Sequence, residues 1–312
     1  ALYTEDVGNS STAVGFQSLY SQNSDENNEE TGNTGLGWYS GFYNVTGNNN
    51  TYLGTAAGKG VSGKSHSGCV YIGKDAGLTA YTGAYNIAIG YQAMDGLPTD
   101  DDTVGGSAEN IFIGKDAGGG SWVTAASHYN IGIGNYVLDA AMHGASSNTA
   151  VGNASLSSVT TGHSNAALGA SSGNGINSGA GNTTIGASAG ANITSTNYNT
   201  AVGYQSMYSA AAGAGNTAVG YESLKAVQSG GTYNVAVGFQ AGLALTTGDY
   251  NICVGTEAGA AITTGEYNTF LGNQSGDALT IGIRNTAIGR NALGATVDVD
   301  QVVAIGYNAL GS

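Results

Sequence analysis

Gly58-Lys59-Gly60-Val61-Ser62-Gly63-Lys64-Ser65 matches the pattern G-x-x-x-x-G-K-S. Such a loop holds phosphates when a strand feeds it and a helix follows, because the helix N-terminus supplies the backbone N–H groups. No helical periodicity follows Ser65, so a surface loop explains the match better than nucleotide binding. Asp100, Asp101 and Asp102, with Asp95, have the oxygen chemistry of a calcium site. The same residues also read as a solvated acidic loop, which is favoured. His66, His128, His143 and His163 fall in loops without the spacing of metal ligands. Ser is abundant, but no G-x-S-x-G elbow joins a strand to a helix. A carboxylate pair for glycoside hydrolysis could meet across the fold, yet nothing in the sequence singles one out. Expected catalytic, cofactor and metal sites are therefore none. Aromatics offer binding chemistry of another kind. Phe16, Trp38, Tyr91, Tyr204, Tyr221, Phe239 and Tyr307 recur at one register, and Tyr85, Tyr129, Tyr198, Tyr233, Tyr250 and Tyr267 at another. They suit a sugar-binding stripe or, preferably, the sealing of corners and subunit contacts.

That recurrence belongs to the whole chain. Asn216-Thr217-Ala218-Val219-Gly220-Tyr221-Glu222-Ser223-Leu224 begins again at Asn234, and related phrases start at Asn251, Asn268 and Asn285. Aligned on the glycine of this phrase, there are seventeen copies, from Gly15 to Gly306. A period this short marks a stacked-coil architecture. Spacing is 17 or 18 residues from Gly134 onward and irregular before it. The reading is thus one β-solenoid domain over 1–312, with irregular, loop-bearing coils over 9–133 and regular coils over 134–312.

Alternation assigns faces. The aliphatic residue before each glycine is expected to fill the coil interior: Val14, Ile89, Val151, Val202, Val219, Val237, Val254, Leu271, Ile288 and Ile305. The small or apolar residue before that one then points outward, where its lack of charge predicts a subunit interface: Ala88, Ala201, Ala218, Ala236, Cys253, Phe270, Ala287 and Ala304. A strand apolar on both faces is buried on both. The Ser/Ala and Leu/Met/Gly residues after the glycine fit a second, tighter strand. Asn at fourteen of the seventeen starts suits a corner and a hydrogen-bonded ladder. Insertions collect at one register, which gives the N-terminal half a decorated edge; Trp38, Asp100, Asp101, Asp102 and Trp122 are its candidate receptor contacts.

The net charge of −14, with only seven Lys and Arg, argues against nucleic acid and anionic membranes as partners. No apolar run spans a bilayer. Cys69 and Cys253 are ten coils apart, or roughly 48 Å, beyond disulfide reach. The chain opens on Ala1 without a signal-peptide pattern and stops at Ser312 directly after a coil, as expected of a processed product or a fragment.

Asn-Thr-Ala-Val-Gly followed by Tyr-Gln-Ser/Ala-Leu resembles the head repeats of YadA-like trimeric adhesins, and similar 17-residue copies in phage tail fibres. The resemblance runs from about Gly8 to Gly311 and implies a left-handed parallel β-roll and a homotrimer. The implied role is a rigid, extracellular rod of roughly 80 Å on a virion or cell surface. It would present contact loops to a host receptor or glycan and have no enzymatic activity. End-to-end stacking into a filament is the alternative. An ice-binding solenoid is less favoured, because Thr12, Thr200, Thr217 and Thr286 share the face expected to be interior. A polysaccharide-degrading β-helix is disfavoured by a charged content of 9%.

Overall fold

The computed structural model describes residues 10–23, 30–96, 106–122, 125–209, 213–228, 230–295 and 298–311. Among these, every regular element is a β-strand of three residues, and there are seventeen. No helix among them is long and apolar enough to cross a membrane. The chain divides into two compact units, Ala1–His163 and Ser164–Ser312.

The first unit holds β1 (Thr12–Val14), β2 (Thr34–Leu36), β3 (Thr51–Leu53), β4 (Val70–Ile72), β5 (Ile87–Ile89), β6 (Ile111–Ile113), β7 (Ile131–Ile133) and β8 (Thr149–Val151). Each pairs in parallel with the next, position for position, as in Tyr52 with Tyr71 and Tyr71 with Ala88. The second unit holds β9 (Ala166–Leu168), β10 (Thr183–Ile185), β11 (Thr200–Val202), β12 (Thr217–Val219), β13 (Val235–Val237), β14 (Ile252–Val254), β15 (Thr269–Leu271), β16 (Thr286–Ile288) and β17 (Val303–Ile305), again in parallel succession. Each unit is therefore a parallel β-solenoid.

The strands put the opposite face inside from the one the alternation suggested. The middle residue is buried in every strand but β1, and the flanking residues are buried in none. Ala88, Ala201, Ala218, Ala236, Cys253, Phe270, Ala287 and Ala304, expected at a subunit interface, are at most 2% exposed within the single chain. They are the coil interior. Val14, Leu271 and Ile305, expected in the core, are 55%, 46% and 66% exposed. Val237 is also exposed, and Ile89, Val151, Val202, Val219, Val254 and Ile288 are half-buried on the same outward face.

Packing explains the inversion. A solenoid coil is narrow, so the inward strand residue meets the residue six positions later across the interior. Where the inward residue is large, that partner is glycine: Tyr52 with Gly58, Tyr71 with Gly77, Phe112 with Gly118, Phe270 with Gly276. A Cβ on Gly276 would lie 2.6 Å from two Phe270 ring carbons. Where the partner is Leu or Met, the inward residue is Ala or Gly, as in Ala218 with Leu224 and Ala88 with Met94. In these coils the pair fills one slot, since dense interiors tolerate neither excess nor void; where both partners are small, as Ala236 and Gly242, a neighbouring coil supplies the side chain, here Leu224. A further buried aliphatic, such as Val227, Leu245, Ile262 or Leu279, closes the other side.

The segment after each strand is not a second strand. It turns through left-handed residues, for example Glu222 (φ 54°) and Leu224 (φ 46°), and the glycine following each strand has φ between 123° and 143°. Left-handed residues every second position forbid extended backbone, although inter-coil bonding continues, as in Glu222 N–H to Tyr204 C=O at 3.0 Å.

The Asn corner is an interior ladder. Asn234 Oδ1 accepts from the Asn251 backbone N–H at 2.9 Å and from Asn251 Nδ2 at 3.1 Å. Asn234 Nδ2 donates to Asn216 Oδ1 at 3.1 Å and to the Gly248 carbonyl at 2.8 Å. Buried amides satisfied on every side stabilise rather than cost.

Candidate functional site

The outward face is built from the two flanking positions of every strand. β-Branched and aliphatic residues at those positions favour the pleated strand, and their outward projection leaves the face uncharged, with one aliphatic column and one of Thr mixed with aliphatic residues. In the second unit one column runs Leu168, Ile185, Val202, Val219, Val237, Val254, Leu271, Ile288 and Ile305. Beside it runs Ala166, Thr183, Thr200, Thr217, Val235, Ile252, Thr269, Thr286 and Val303. Neither column carries a charge, and at strand spacing they extend roughly 40 Å. The first unit bears an equivalent face, with Leu36 and Leu53 exposed and Ile72, Ile89 and Ile113 half-buried. Contiguous apolar surface of this extent marks an interaction site.

Tyrosine borders this face in the second unit. Tyr204, Tyr221 and Phe239 stack at 5.6 and 5.2 Å, and Tyr233, Tyr250 and Tyr267 at 5.3 and 5.2 Å, with ring planes within 17° of parallel. Rings stacked this way cover one another's faces and present edges outward. Sugar stacking needs a free ring face, so the ladders fit the sealing of borders.

The first unit's aromatics are arranged differently. Trp38 is 51% exposed and stands edge-on to Tyr39 at 4.0 Å, with Phe16 edge-on to Tyr39 at 5.9 Å. Trp38 thus remains a surface aromatic. Trp122 does not: it is 3% exposed, 5.7 Å from Phe112, and its Nε1–H donates to the Gly118 carbonyl at 3.0 Å. Its expected contact role is replaced by plugging the space beside Gly118. Asp100, Asp101 and Asp102 lie outside the described residues.

The G-x-x-x-x-G-K-S segment leads into no helix. A Cβ at Gly58 would collide with the Tyr52 ring, so core packing already demands glycine there. Lys64 Nζ sits 4.6 Å above the Tyr81 ring and Lys59 Nζ 5.9 Å from that of Tyr43. Among the described residues no three His, Cys, Asp or Glu side chains gather as metal ligands.

Charge environment adds one feature that the sequence reading missed. His66, though in a loop, turns into the interior and is 2% exposed. Its Nε2 lies 2.8 Å from the Tyr52 hydroxyl, and burial lowers its pKa to about 4. Cys69 takes the place of a ladder asparagine; its thiol and the Tyr71 hydroxyl are both pushed up, chiefly by burial. Burial also pushes Cys253 up to about 12, leaving it inert. The only hint in the sequence was that Cys69 replaces Asn three residues after His66, directly behind the His-bearing insertion. Elsewhere in the unit, Asp95 is raised to about 6, first by burial and then by the Asp116 charge. No family model matches the chain. No curated protein matches it significantly.

Proposed function

We propose that the chain is a structural fibre or adhesin module that associates with further copies of itself through the outward aliphatic face. The supporting observation is that face: uncharged in both columns, half-buried to exposed in the single chain, and continuous along each unit. A hydrophobic stripe of this length has a large free-energy incentive to leave water. Three copies around one axis, each a left-handed roll, is the arrangement that the resemblance to trimeric adhesin heads adds. In this reading the assembly is an extracellular rod of a virion or cell surface. Trp38, exposed in the first unit, is the proposed contact for a receptor or glycan.

Sedimentation equilibrium of the purified chain tests the reading. A trimer is expected. Val202→Lys, Val219→Lys and Val237→Lys together should shift the mass toward monomer, because three ammonium groups would be buried per interface. A wild-type monomer at tens of micromolar would remove the argument.

One observation favours a second reading. Thr183, Thr200 and Thr217 form an outward column, where a flat hydroxyl array could order water as an ice-binding face does. The irregular replacement of Thr by Val and Ile along the column weighs against it. Thermal hysteresis of the monomeric triple-Lys variant and of the wild type would decide.

A further inference from the structure

The segment Lys59–Gly68 carries three left-handed glycines, Gly60 (φ 75°), Gly63 (φ 77°) and Gly68 (φ 66°). A Cβ at Gly63 would meet nothing within 4 Å, so the bend has open space at that glycine, beside Lys64, whose Nζ lies 4.6 Å from the Tyr81 ring. The inner end of the segment is held by His66 and by bonds to the preceding coil: Ser65 Oγ accepts from the Val45 and Thr46 N–H groups, Ser67 Oγ from the Asn48 N–H, and the Gly68 N–H donates to the Asn48 carbonyl. The His66 ring lies 5.6 Å from that of Tyr52 and 5.5 Å from that of Tyr71. The backbone N–H donates to Asn44 Oδ1 at 3.0 Å and the carbonyl accepts from Asn50 Nδ2 at 2.9 Å. The ring Nδ1 makes no hydrogen bond of standard geometry. The titratable groups around it are Tyr52 on β3, Tyr71 on β4 and Cys69, all neutral at physiological pH. No carboxylate contributes to its electrostatics, and the Tyr81 backbone only partly offsets the cost of charging it.

We propose that residues 59–68 form an acid-operated latch: when His66 takes up a proton, its ring leaves Tyr52 and Tyr71, and the segment swings on its glycines. The second unit, residues 164–312, contains no histidine and has no such response.

The sign follows from the charge. The closed latch binds the proton weakly, with a His66 pKa of about 4, and the open one near the ordinary 6.5. Closure is most favoured above pH 6.5 and weakens as pH falls toward 4. The open population then rises by up to roughly 300-fold. Asp95 works in the other direction. Its raised carboxyl binds a proton more readily in the folded state, so acid favours folding there and cannot be what opens the segment.

Hydrogen–deuterium exchange of the full chain between pH 7 and 4, corrected for intrinsic rates, tests the latch. Peptides covering 59–69 should lose protection by about two orders of magnitude, and peptides covering β11–β13 should not. His66→Gln places a non-titrating amide near Tyr52 and should keep 59–69 protected at pH 4. Acid opening that persists in His66→Gln, or no acid opening in the wild type, overturns the proposal. Should His66→Gln already be open at neutral pH, NMR titration of the wild-type His66 ring decides. A pKa below 5 that coincides with loss of protection supports the latch, and one at or above 6.5 overturns it.

Discussion

Exchanging the interior pair of one coil tests the inward assignment of the middle strand residue. Ala218 and Leu224 share a slot, both fully buried. Ala218→Phe alone drives a ring into Leu224, and overpacking of this kind costs about 1–3 kcal/mol. Leu224→Gly alone opens a cavity costing about 2–5 kcal/mol. It recovers roughly 1 kcal/mol, because Leu224 sits at φ 46°, where glycine is unstrained. Together the changes recreate the Phe270–Gly276 slot. The double variant should lie within about 1.5 kcal/mol of wild type. The residual loss comes from Leu224 Cδ2, which a Cβ at Gly242 in the next coil would approach to 2.8 Å. The cycle therefore yields a coupling energy near 3 kcal/mol, at the upper end for contacting residues. Guanidinium unfolding followed by far-UV circular dichroism measures all four proteins. Additive single effects would refute the shared slot. An Ala218→Phe that changes association but not unfolding would return Ala218 to the outside.

Other substitutions probe separate parts of the same argument. Asn234→Ala should cost about 3–4 kcal/mol in chemical denaturation, because four buried partners lose a hydrogen bond each. Val219→Asp should weaken self-association in sedimentation yet leave the dichroism spectrum unchanged, whereas Ala218→Asp should abolish folding by burying an unpaired charge. Trp122→Ala should lower stability by about 3–5 kcal/mol in thermal melts without altering any receptor binding that Trp38→Ala reduces. Relative to His66→Gln, the wild type should lose stability as pH falls from 6.5 to 4, by about 3 kcal/mol in all; a flat difference across that window would contradict a buried neutral imidazole.

The repeat, its strand position and its corner were legible because they recur in every copy. Which face points inward was not, and the reason is physical. Period-two alternation separates two faces without naming either. Val219 and Ile288 look like core, and Ala218 like a surface position that tolerates contact. The deciding signal lay in size rather than hydrophobicity. Tyr52, Tyr71, Phe112 and Phe270 each have glycine six residues later, and every Leu or Met there has Ala or Gly before it. Residues that trade volume copy by copy share a space, which places the middle strand residue inside. Trp122 was misplaced for a related reason, since an insertion reads as exposed although its indole can fold back over Phe112. His66 was invisible for the same cause.

Volume trading within one coil has a consequence for how such a chain changes length. Because the inward residue and its partner lie six positions apart in one phrase, a duplicated phrase brings most of its own interior with it, and the neighbouring coil must match at the remaining contacts, as Leu224 does at Gly242. The Asn at its start accepts the backbone N–H of the next coil's first residue whether that residue is Asn, as at Asn251, or Val, as at Val302. Length thus behaves as a ruler graduated in single coils, inherited as a copy number rather than built from compensating point mutations.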